Sequence, residues 1–350
     1  MTTVPAKDYH RKKNICLVLS VSAQIIYFIA AAIGMPQNIS KPFYLLLFYS
    51  GLMLTCFPVQ LFSSHHLEKK YGLSKQTFLS WILDFFKAQA MGAVFFVAAG
   101  LIFYWLLDAY PNDWWWILSV VVFTFSAFFS TIFPVLILPF FFRSTPLNDP
   151  ELERACQETL KRCGYPKRNF FKLHLGQKTT KANAALTGVG PTRRVLLADT
   201  LLNGYTSQEI QMVVAHEIGH DAKKHILRSI AIELAVSLTA FYVLCRVWPP
   251  DSLRELRYFP FLMLISTLFN LLGMPASHFI SRAHEKEADR FALKVYPDLP
   301  VFESLMEKLS AQNMANPEPS YLEEFALYSH PSKKNRVQHA KNFLKILANS

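Results

Sequence analysis

Charged residues are scarce in this 350-residue chain, at 17%, whereas hydrophobic residues make up 52%. A soluble protein of this size carries about a quarter charged residues, so much of the chain is expected to be solvated by lipid. Cysteine is also rare: the five residues are scattered, which excludes a disulfide framework. Tandem repeats and low-complexity tracts are absent. Disordered, fibrous and disulfide-rich classes are therefore excluded.

Long apolar runs dominate what is present. Six of them have roughly 18 or more residues, which is enough to cross a bilayer. They cover residues 14–34, 43–62, 88–107, 114–142, 227–248 and 259–280. The sequence thus predicts an α-helical polytopic membrane protein with about six transmembrane helices.

The polar segments divide the chain into four regions. Residues 1–142 hold the first four transmembrane helices, and 227–280 hold the last two. Residues 143–226 form a large polar block, and 281–350 form a polar tail.

The linker between the second and third runs has a helical pattern of its own. Within residues 74–87 the apolar side chains recur at i, i+3, i+4, i+7 and i+8; they are Phe78, Trp81, Ile82, Phe85 and Phe86. This spacing predicts an amphipathic helix in the membrane interface.

Positive charge is distributed unevenly between the two sides of the membrane. The formal net charge is +11, and 32 of the 36 Lys and Arg residues lie in the N-terminal segment, the second linker, the polar block together with Arg228 just after it, and the tail. By the positive-inside rule, both termini and the polar block are expected to be cytoplasmic. The excess charge follows from topology, so no nucleic-acid partner is expected.

The first apolar run allows two interpretations. Four basic residues precede it and it ends in Ala30, Ala31 and Ala32, a pattern also found in cleaved signal peptides. The run is longer than the h-region of 7–15 residues, which favours a retained transmembrane helix.

The polar block carries a metal-binding pattern. Thr206 and Glu209 form a capping box that begins a helix, and this helix continues into His-Glu-Ile-Gly-His at 216–220. His216 and His220, four residues apart, project from one helical face and can share one Zn²⁺. Glu217 lies beside the metal, where it can take a proton from bound water.

A catalytic zinc site needs a third protein ligand. The tail begins with a predicted helix in which Glu285 and Asp289 share a face, so one carboxylate can bind the metal while the other orients a ligand histidine. His284 and Glu287 lie off that face and are predicted to be solvated. His225 is predicted to be a loop or surface residue with no role in metal binding.

With these motifs in view, the sequence resembles the type I CAAX prenyl protease family of integral-membrane zinc metalloproteases, within the gluzincin group. The resemblance extends over roughly residues 65–340. Its motifs are His216–His220; Ser281-Arg282 with Glu285, Ala288 and Asp289; Asn183-Ala184 with Thr187-Gly188 and Arg194–Leu197; Ser329-His330-Pro331 with Arg336; and the linker Tyr71–Thr77.

The resemblance implies a role for each matching residue. Glu285 is the implied third ligand of one Zn²⁺ ion, and Glu217 the implied general base. Asn183 and Ala184 would lie on an edge strand that pairs with the substrate backbone. His330 and Arg336 would lie near the scissile carbonyl and the metal. The implied catalytic domain is cytoplasmic, zincin-like and α+β, with a small edge-stranded sheet.

The expected function is hydrolysis of peptide bonds at the cytoplasmic membrane face. The substrate would be a peptide or a prenylated, membrane-associated protein that loses its C-terminal tripeptide. The chain has six predicted spans, whereas eukaryotic members of the family have seven, so the size of an intramembrane chamber stays open. Leu347–Ser350 carry no dilysine-type retrieval signal, so the sequence is compatible with a bacterial plasma membrane and with an endoplasmic reticulum.

Two other functions are compatible with the same pattern. A quality-control protease would clip misfolded membrane proteins with the same chemistry. A transporter with a structural zinc would need a fourth protein ligand, for which the sequence offers no convincing candidate.

Overall fold

Each of the six apolar runs is occupied by a long helix. The computed structural model describes residues 3–188 and 192–349. The long helices are α1 (Thr3–Gly34), α2 (Lys41–Leu61), α4 (Phe78–Ala109), α5 (Trp114–Leu136), α10 (His225–Val247) and α12 (Phe259–Val295). Shorter helices between them are α3 (Leu67–Lys70), α6 (Leu138–Phe141) and α11 (Pro250–Leu253).

Five of the long helices, α1, α2, α4, α10 and α12, are long and apolar enough to cross a membrane. Only 6% to 22% of the residues in their most apolar windows are buried, so most of these side chains face outward, as lipid allows. Helix α5 has 23 residues and a described apolar stretch of Trp114–Ser130. Its backbone is about 35 Å long, which exceeds the hydrocarbon thickness of a bilayer. It therefore matches the remaining predicted span.

Aromatic rings fill the space between the membrane helices. Phe48 of α2 is fully buried. Its ring packs against those of Phe28 of α1, Phe96 of α4 and Phe259 of α12, with centroids 5.1 to 6.1 Å apart. This cluster holds α12 against the first helices of the chain.

The polar block forms a four-stranded sheet in the order β1-β2-β4-β3. Its strands are β1 (Ser144–Pro146), β2 (Asn169–Leu173), β3 (Ala184–Thr187) and β4 (Arg194–Ala198). Strands β2 and β4 are parallel, and the other two pairs are antiparallel. Within the described residues, strand β3 is therefore an edge strand whose one neighbour is β4.

Helices from the polar block and the tail surround this sheet. They are α7 (Pro150–Arg162), α8 (Asp199–Leu202), α9 (Ser207–Ala222), α13 (Leu299–Gln312), α14 (Tyr321–Leu327) and α15 (Lys333–Ala348). Helix α9 is central, since it contacts α7, α12, α13 and β3. Its residues Val214 and Ile218 are fully buried in a core shared with Val195 and Leu197 of β4 and Phe302 of α13. One face of α9 thus packs against the core, and the opposite face is available for functional side chains.

The linker helix predicted over 74–87 is not separate in the structure. Helix α4 begins at Phe78, where the Thr77 side chain caps it, and continues without a break to Ala109. Trp81 and Phe85, on the apolar face of the linker, are buried and pack against Phe57 of α2. Protein thus covers part of this face, while Phe78 and Phe86 at its edges remain exposed, and the segment forms the first turns of the continuous helix α4.

Helix α12 also continues across a boundary suggested by the sequence. Its 37 residues extend over about 55 Å, from the membrane run into the segment that carries Glu285 and Asp289. The last membrane helix and the second half of the candidate metal site are therefore one rigid element.

Candidate metal centre

Helix α9 positions the first two candidate ligands. The Thr206 hydroxyl accepts a hydrogen bond from the Glu209 backbone N–H, and the Glu209 carboxylate accepts one from the Thr206 N–H at 2.7 Å. This capping box, predicted from the sequence, fixes where the helix begins. Ten residues later, His216 and His220 lie on one face with their Nε2 atoms 3.1 Å apart.

Helix α12 brings the third candidate ligand to the same point. Oε1 of Glu285 lies 3.3 Å from Nε2 of His220, and its Oε2 lies 3.5 Å from Nε2 of His216. The carboxylate is buried, with 8% of the side chain exposed. Two histidines and one glutamate thus converge from two helices.

The spacing of these donor atoms fits a divalent metal ion. The ligand atoms of His216, His220 and Glu285 all lie within 4.8 Å of one another. Tetrahedral coordination at about 2.0–2.1 Å places neighbouring ligands about 3.3 Å apart, and the closest contacts here are 3.1 to 3.5 Å. Within the described residues the group supplies three ligands, which leaves one coordination position for water or substrate.

Asp289 and Arg336 orient the first histidine. Nδ1 of His216 lies 3.0 Å from Oδ1 of Asp289. The Arg336 guanidinium donates to both oxygens of Asp289, at 2.8 and 2.5 Å. With Nδ1 donating to Asp289, Nε2 of His216 is left free to bind a metal. Burial alone would lower the pKa of His216, but hydrogen bonds with Asp289 and Glu285 outweigh it and raise this pKa to about 10, so a proton and a metal compete for the ring.

A second chain of contacts orients the other histidine. Nδ1 of His220 lies 3.0 Å from Nδ1 of His225, whose Nε2 lies 3.2 Å from Oε2 of Glu287. Arg228 donates to the same carboxylate at 2.9 Å, and the His284 ring stacks on His225 with centroids 4.2 Å apart. A metal at Nε2 of His220 requires its Nδ1 to donate, so His225 accepts at Nδ1 and donates from Nε2 to Glu287.

These contacts correct one sequence-based prediction. His225 is only 3% exposed, rather than a surface residue. His284 and Glu287 are partly exposed, and both also contact His225. Sequence spacing could not reveal this, because Glu287 reaches His225 from another helix, 62 residues away.

All nine predicted site residues line a single cavity of about 790 Å³. They are Asn183, Ala184, His216, Glu217, His220, Glu285, Asp289, His330 and Arg336. Glu217 is the carboxylate adjacent to the ligand pair, and burial raises its pKa above the ordinary 4.5 against the opposing effect of His216. A carboxylate with a raised pKa is a better proton acceptor near neutral pH.

Edge strand β3 forms one wall of this cavity. Ala184 pairs with Leu197 of β4, and the carbonyl of Asn183 accepts a hydrogen bond from the Ala198 N–H at 3.0 Å. These pairs occupy only one side of the strand, since β3 is the last strand of the sheet.

His330 lies on the loop between α14 and α15. Its Nδ1 is 3.1 Å from Oε2 of Glu285, and 64% of its side chain is exposed. Arg336 reaches the same oxygen at 3.9 Å. Two groups that can donate hydrogen bonds thus lie beside the third candidate ligand.

Comparison with known families matches almost the whole chain. Residues 146–344 match peptidase family M48, and residues 12–143 match the CAAX prenyl protease N-terminal domain, described as five membrane helices. The chain belongs to peptidase family M48. The predicted family resemblance and the predicted metalloendopeptidase class are thereby confirmed.

Relatives of this M48 peptidase occur in bacteria and eukaryotes. An uncharacterized metalloprotease, YhfN, of Bacillus subtilis is 28% identical over 96% of this chain and 84% of its own length. CAAX prenyl protease 1 of Saccharomyces cerevisiae is 30% identical over 80% of this chain and 67% of its own. The crystal structure of S. mikatae Ste24p has the same fold, with a TM-score of 0.81, 23% identity, and coverage of 97% of this chain and 88% of that one. This M48 peptidase is an integral membrane protein.

Sequence reasoning missed the contribution of α1 to the site. His10 and Asn14 line the cavity from the N-terminal end of this helix. His10 contacts the backbone carbonyl of Met314 at 2.9 Å and stacks on Tyr328, two residues before His330. In the sequence these residues are only the polar flank of an apolar run. Their place in the site depends on contacts some 300 residues apart.

Proposed function

We propose that this M48 peptidase is a zinc-dependent endopeptidase that cleaves membrane-associated substrates on the cytoplasmic side, with prenylated C-terminal peptides as its substrate class. The observation that carries the proposal is the His216, His220 and Glu285 cluster, which opens onto a cavity walled by an edge strand. The substrate class is suggested by the relatives named CAAX prenyl protease 1.

His216, His220 and Glu285 hold the metal in this proposal, with Asp289 and His225 fixing the two imidazoles. A zinc ion bound there supplies a Lewis acid and lowers the pKa of bound water toward neutrality. Glu217 takes the proton of the attacking water and returns it to the leaving amine. Its raised pKa supports both steps.

Charge that develops on the scissile carbonyl oxygen needs hydrogen-bond donors. His330 and Arg336 are within 3.1 and 3.9 Å of Glu285, so both can reach a carbonyl held beside this ligand. Donors already in place at such a point stabilise the transition state more than the ground state.

The substrate backbone pairs with strand β3 in this proposal. Ala184 begins the strand, Asn183 directly precedes it, and both line the same cavity as Glu217. Main-chain hydrogen bonds to an edge strand hold an extended peptide with little dependence on its side chains. Such pairing sets the register between the peptide and the metal.

The cytoplasmic orientation rests on the distribution of basic residues. The segments that carry 32 of the 36 Lys and Arg residues include the sheet, α9 and the tail, so the metal centre lies on their side. A cytoplasmic site reaches substrates in a bacterial plasma membrane or in an endoplasmic reticulum.

A peptide assay with metal analysis tests the proposal. The purified chain in lipid nanodiscs should contain one zinc per molecule and cleave a farnesylated peptide more efficiently than the same peptide without the lipid. Equal cleavage of both peptides would favour a quality-control protease. Bound zinc with no hydrolysis of either peptide would contradict peptidase activity of this chain on such substrates.

A further inference from the structure

Helix α14 exposes three large apolar side chains, whereas Leu327 at its end lines the cavity. Tyr321, Leu322 and Phe325 are 81%, 74% and 41% exposed. They lie at i, i+1 and i+4 of this short helix, so they form one continuous face. A surface helix in water normally has the opposite arrangement, with its apolar face against the core.

The acidic side chains of α14 point toward the protein instead. The Glu324 carboxylate accepts hydrogen bonds from the Ser332 N–H at 3.0 Å and from Asn335 at 2.9 Å. Glu323 accepts one from Asn14 of α1 at 3.2 Å. The protein therefore binds the polar face of α14 and leaves Tyr321 and Leu322 largely exposed, while the Arg282 guanidinium lies over one side of the Phe325 ring, 6.0 Å from its centroid.

Contacts with α12 place α14 where the membrane run ends. Nδ1 of His278 lies 2.9 Å from the carbonyl oxygen of Ala326. Arg282 donates to the carbonyl oxygens of Glu324 and Tyr328, at 2.8 and 2.6 Å. His278 and Arg282 lie on either side of residue 280, the last residue of the apolar run.

Contacts with α1 place α14 at the same depth relative to the membrane. Asn14, the partner of Glu323, is the first residue of the first apolar run. Ile15 and Val18 follow it with 51% and 64% exposure, and on α12 Phe279 is 63% exposed. The apolar face of α14 thus lies between two lipid-facing surfaces, at the depth of the interface.

We propose that α14 lies in the bilayer interface, with Tyr321, Leu322 and Phe325 inserted at the boundary between headgroups and acyl chains. Tyrosine suits this depth because its ring is apolar and its hydroxyl can remain hydrated. The partner is the lipid surface itself, which also covers the neighbouring faces of α1 and α12. The tail is therefore a peripheral part of the membrane domain.

Insertion of α14 also has a consequence for the site. Tyr328 follows the helix directly and leads to His330, which lies 3.1 Å from Glu285. The bilayer thus helps to hold the His330 loop against the metal centre. This consequence, unlike the insertion itself, rests on the proposed role of His330.

Photochemical labelling from the lipid tests the insertion. The full chain is placed in nanodiscs that contain a phospholipid with a diazirine near the top of the acyl chain, and adducts are mapped by mass spectrometry. Phe279 is the positive control on α12, and Ile346 of α15, 66% exposed, is the control for an exposed aliphatic residue on a polar helix. Residues 321–325 should be labelled about tenfold more than the peptide with Ile346, because only groups that enter the acyl region react.

Two variants make the test specific. Leu322→Glu should lower the labelling of α14 about tenfold, whereas Leu322→Phe should keep it, since a charge is excluded from the acyl region and an aromatic ring is not. The labelling of Phe279 reports whether each variant is folded and inserted. If Phe279 is labelled in the wild-type chain and α14 is not, the insertion is wrong. That result would leave the proposed peptidase activity intact, so the two proposals fail separately.

Discussion

Gly219 of α9 packs so closely against Ala288 of α12 that a methyl group between them would push its neighbours aside by a few tenths of an ångström. A Cβ atom at position 219 would lie 3.1 Å from the Ala288 Cα atom and 3.1 Å from the Phe291 Cβ atom. These neighbours belong to backbone or to the base of a side chain and cannot rotate away. The glycine inside His-Glu-Ile-Gly-His therefore lets α12 approach closely enough for Glu285 to join His216 and His220.

Gly219→Ala is expected to separate the two helices and weaken the metal site. Overpacking of this kind costs about 1–3 kcal/mol, so both metal affinity and thermal stability should fall. Gly273→Ala on α12 is the matched control, because nothing lies within 4 Å of a Cβ at that position. Chelator competition and a melting curve would measure both effects. Equal metal affinity in the two variants would contradict this role of Gly219.

Glu217→Gln should abolish most activity while the metal remains bound. The amide occupies the same volume but cannot accept a proton, and loss of a general base typically costs about 10²–10⁴ in rate. Mass spectrometry should therefore find the zinc content of the wild type in this variant, while its turnover of a peptide substrate falls. Full activity with zinc bound would show that another group accepts the proton.

Asp289→Asn should reduce metal affinity by about 10–100-fold, because the partner that fixes the His216 tautomer is weakened. The same change also breaks the paired hydrogen bonds with Arg336. Asp251→Asn is the control, since the Asp251 side chain is 89% exposed and its partner is Arg254. Affinity is measured by competition with a chelator of known strength. An unchanged metal affinity would show that Asp289 does not support metal binding by His216.

His225→Ala should also lower metal affinity, by about 10–100-fold, because His220 loses the acceptor at its Nδ1. His225→Asn should recover part of the loss, since its amide oxygen can accept near the same position. His66→Ala is the control, because His66 is exposed. If alanine and asparagine behaved alike at 225, hydrogen bonding to His220 would not be the cause.

Glu209 should make the stability of the catalytic domain depend on acid pH. Burial opposes its charge, but Lys308 and the Thr206 N–H outweigh burial and lower its pKa below the ordinary 4.5. A lowered pKa in the folded state adds stability that is complete above the unfolded pKa and is lost as pH falls through the folded value. Melting temperatures of wild type and Glu209→Gln should therefore differ more at pH 7 than below about pH 4. A constant difference would mean that the charge of Glu209 does not contribute.

Local patterns predicted much of this molecule correctly. The six apolar runs each contain a long helix, and the capping box before His216 forms as expected. Spacing within one helix also placed Glu285 and Asp289 on a common face. Such features depend on residues within a few positions of each other, which is why they can be read from the chain.

The contacts that complete the site could not be read in this way. His225 supports His220 and binds Glu287, 62 residues away, and His10 reaches Met314 across 304 residues. The linker over 74–87 has the pattern of an interfacial helix, yet from Phe78 onward it is continuous with α4, and α2 covers part of its apolar face. The spacing of apolar residues in the sequence shows which side of a helix is apolar, but it does not show whether lipid or protein covers that side.

The amino-acid sequence by itself determined the membrane helices, their expected orientation, and the pair of histidines with the glutamate between them. These follow from hydropathy, charge and helical period, which act locally. Only the tertiary structure decided that α9 and α12 meet at Gly219, that Asp289 contacts His216 while Glu287 reaches His220 through His225, and that α14 exposes Tyr321, Leu322 and Phe325. These depend on the close approach of distant segments, which packing and burial select from many arrangements compatible with the same local pattern.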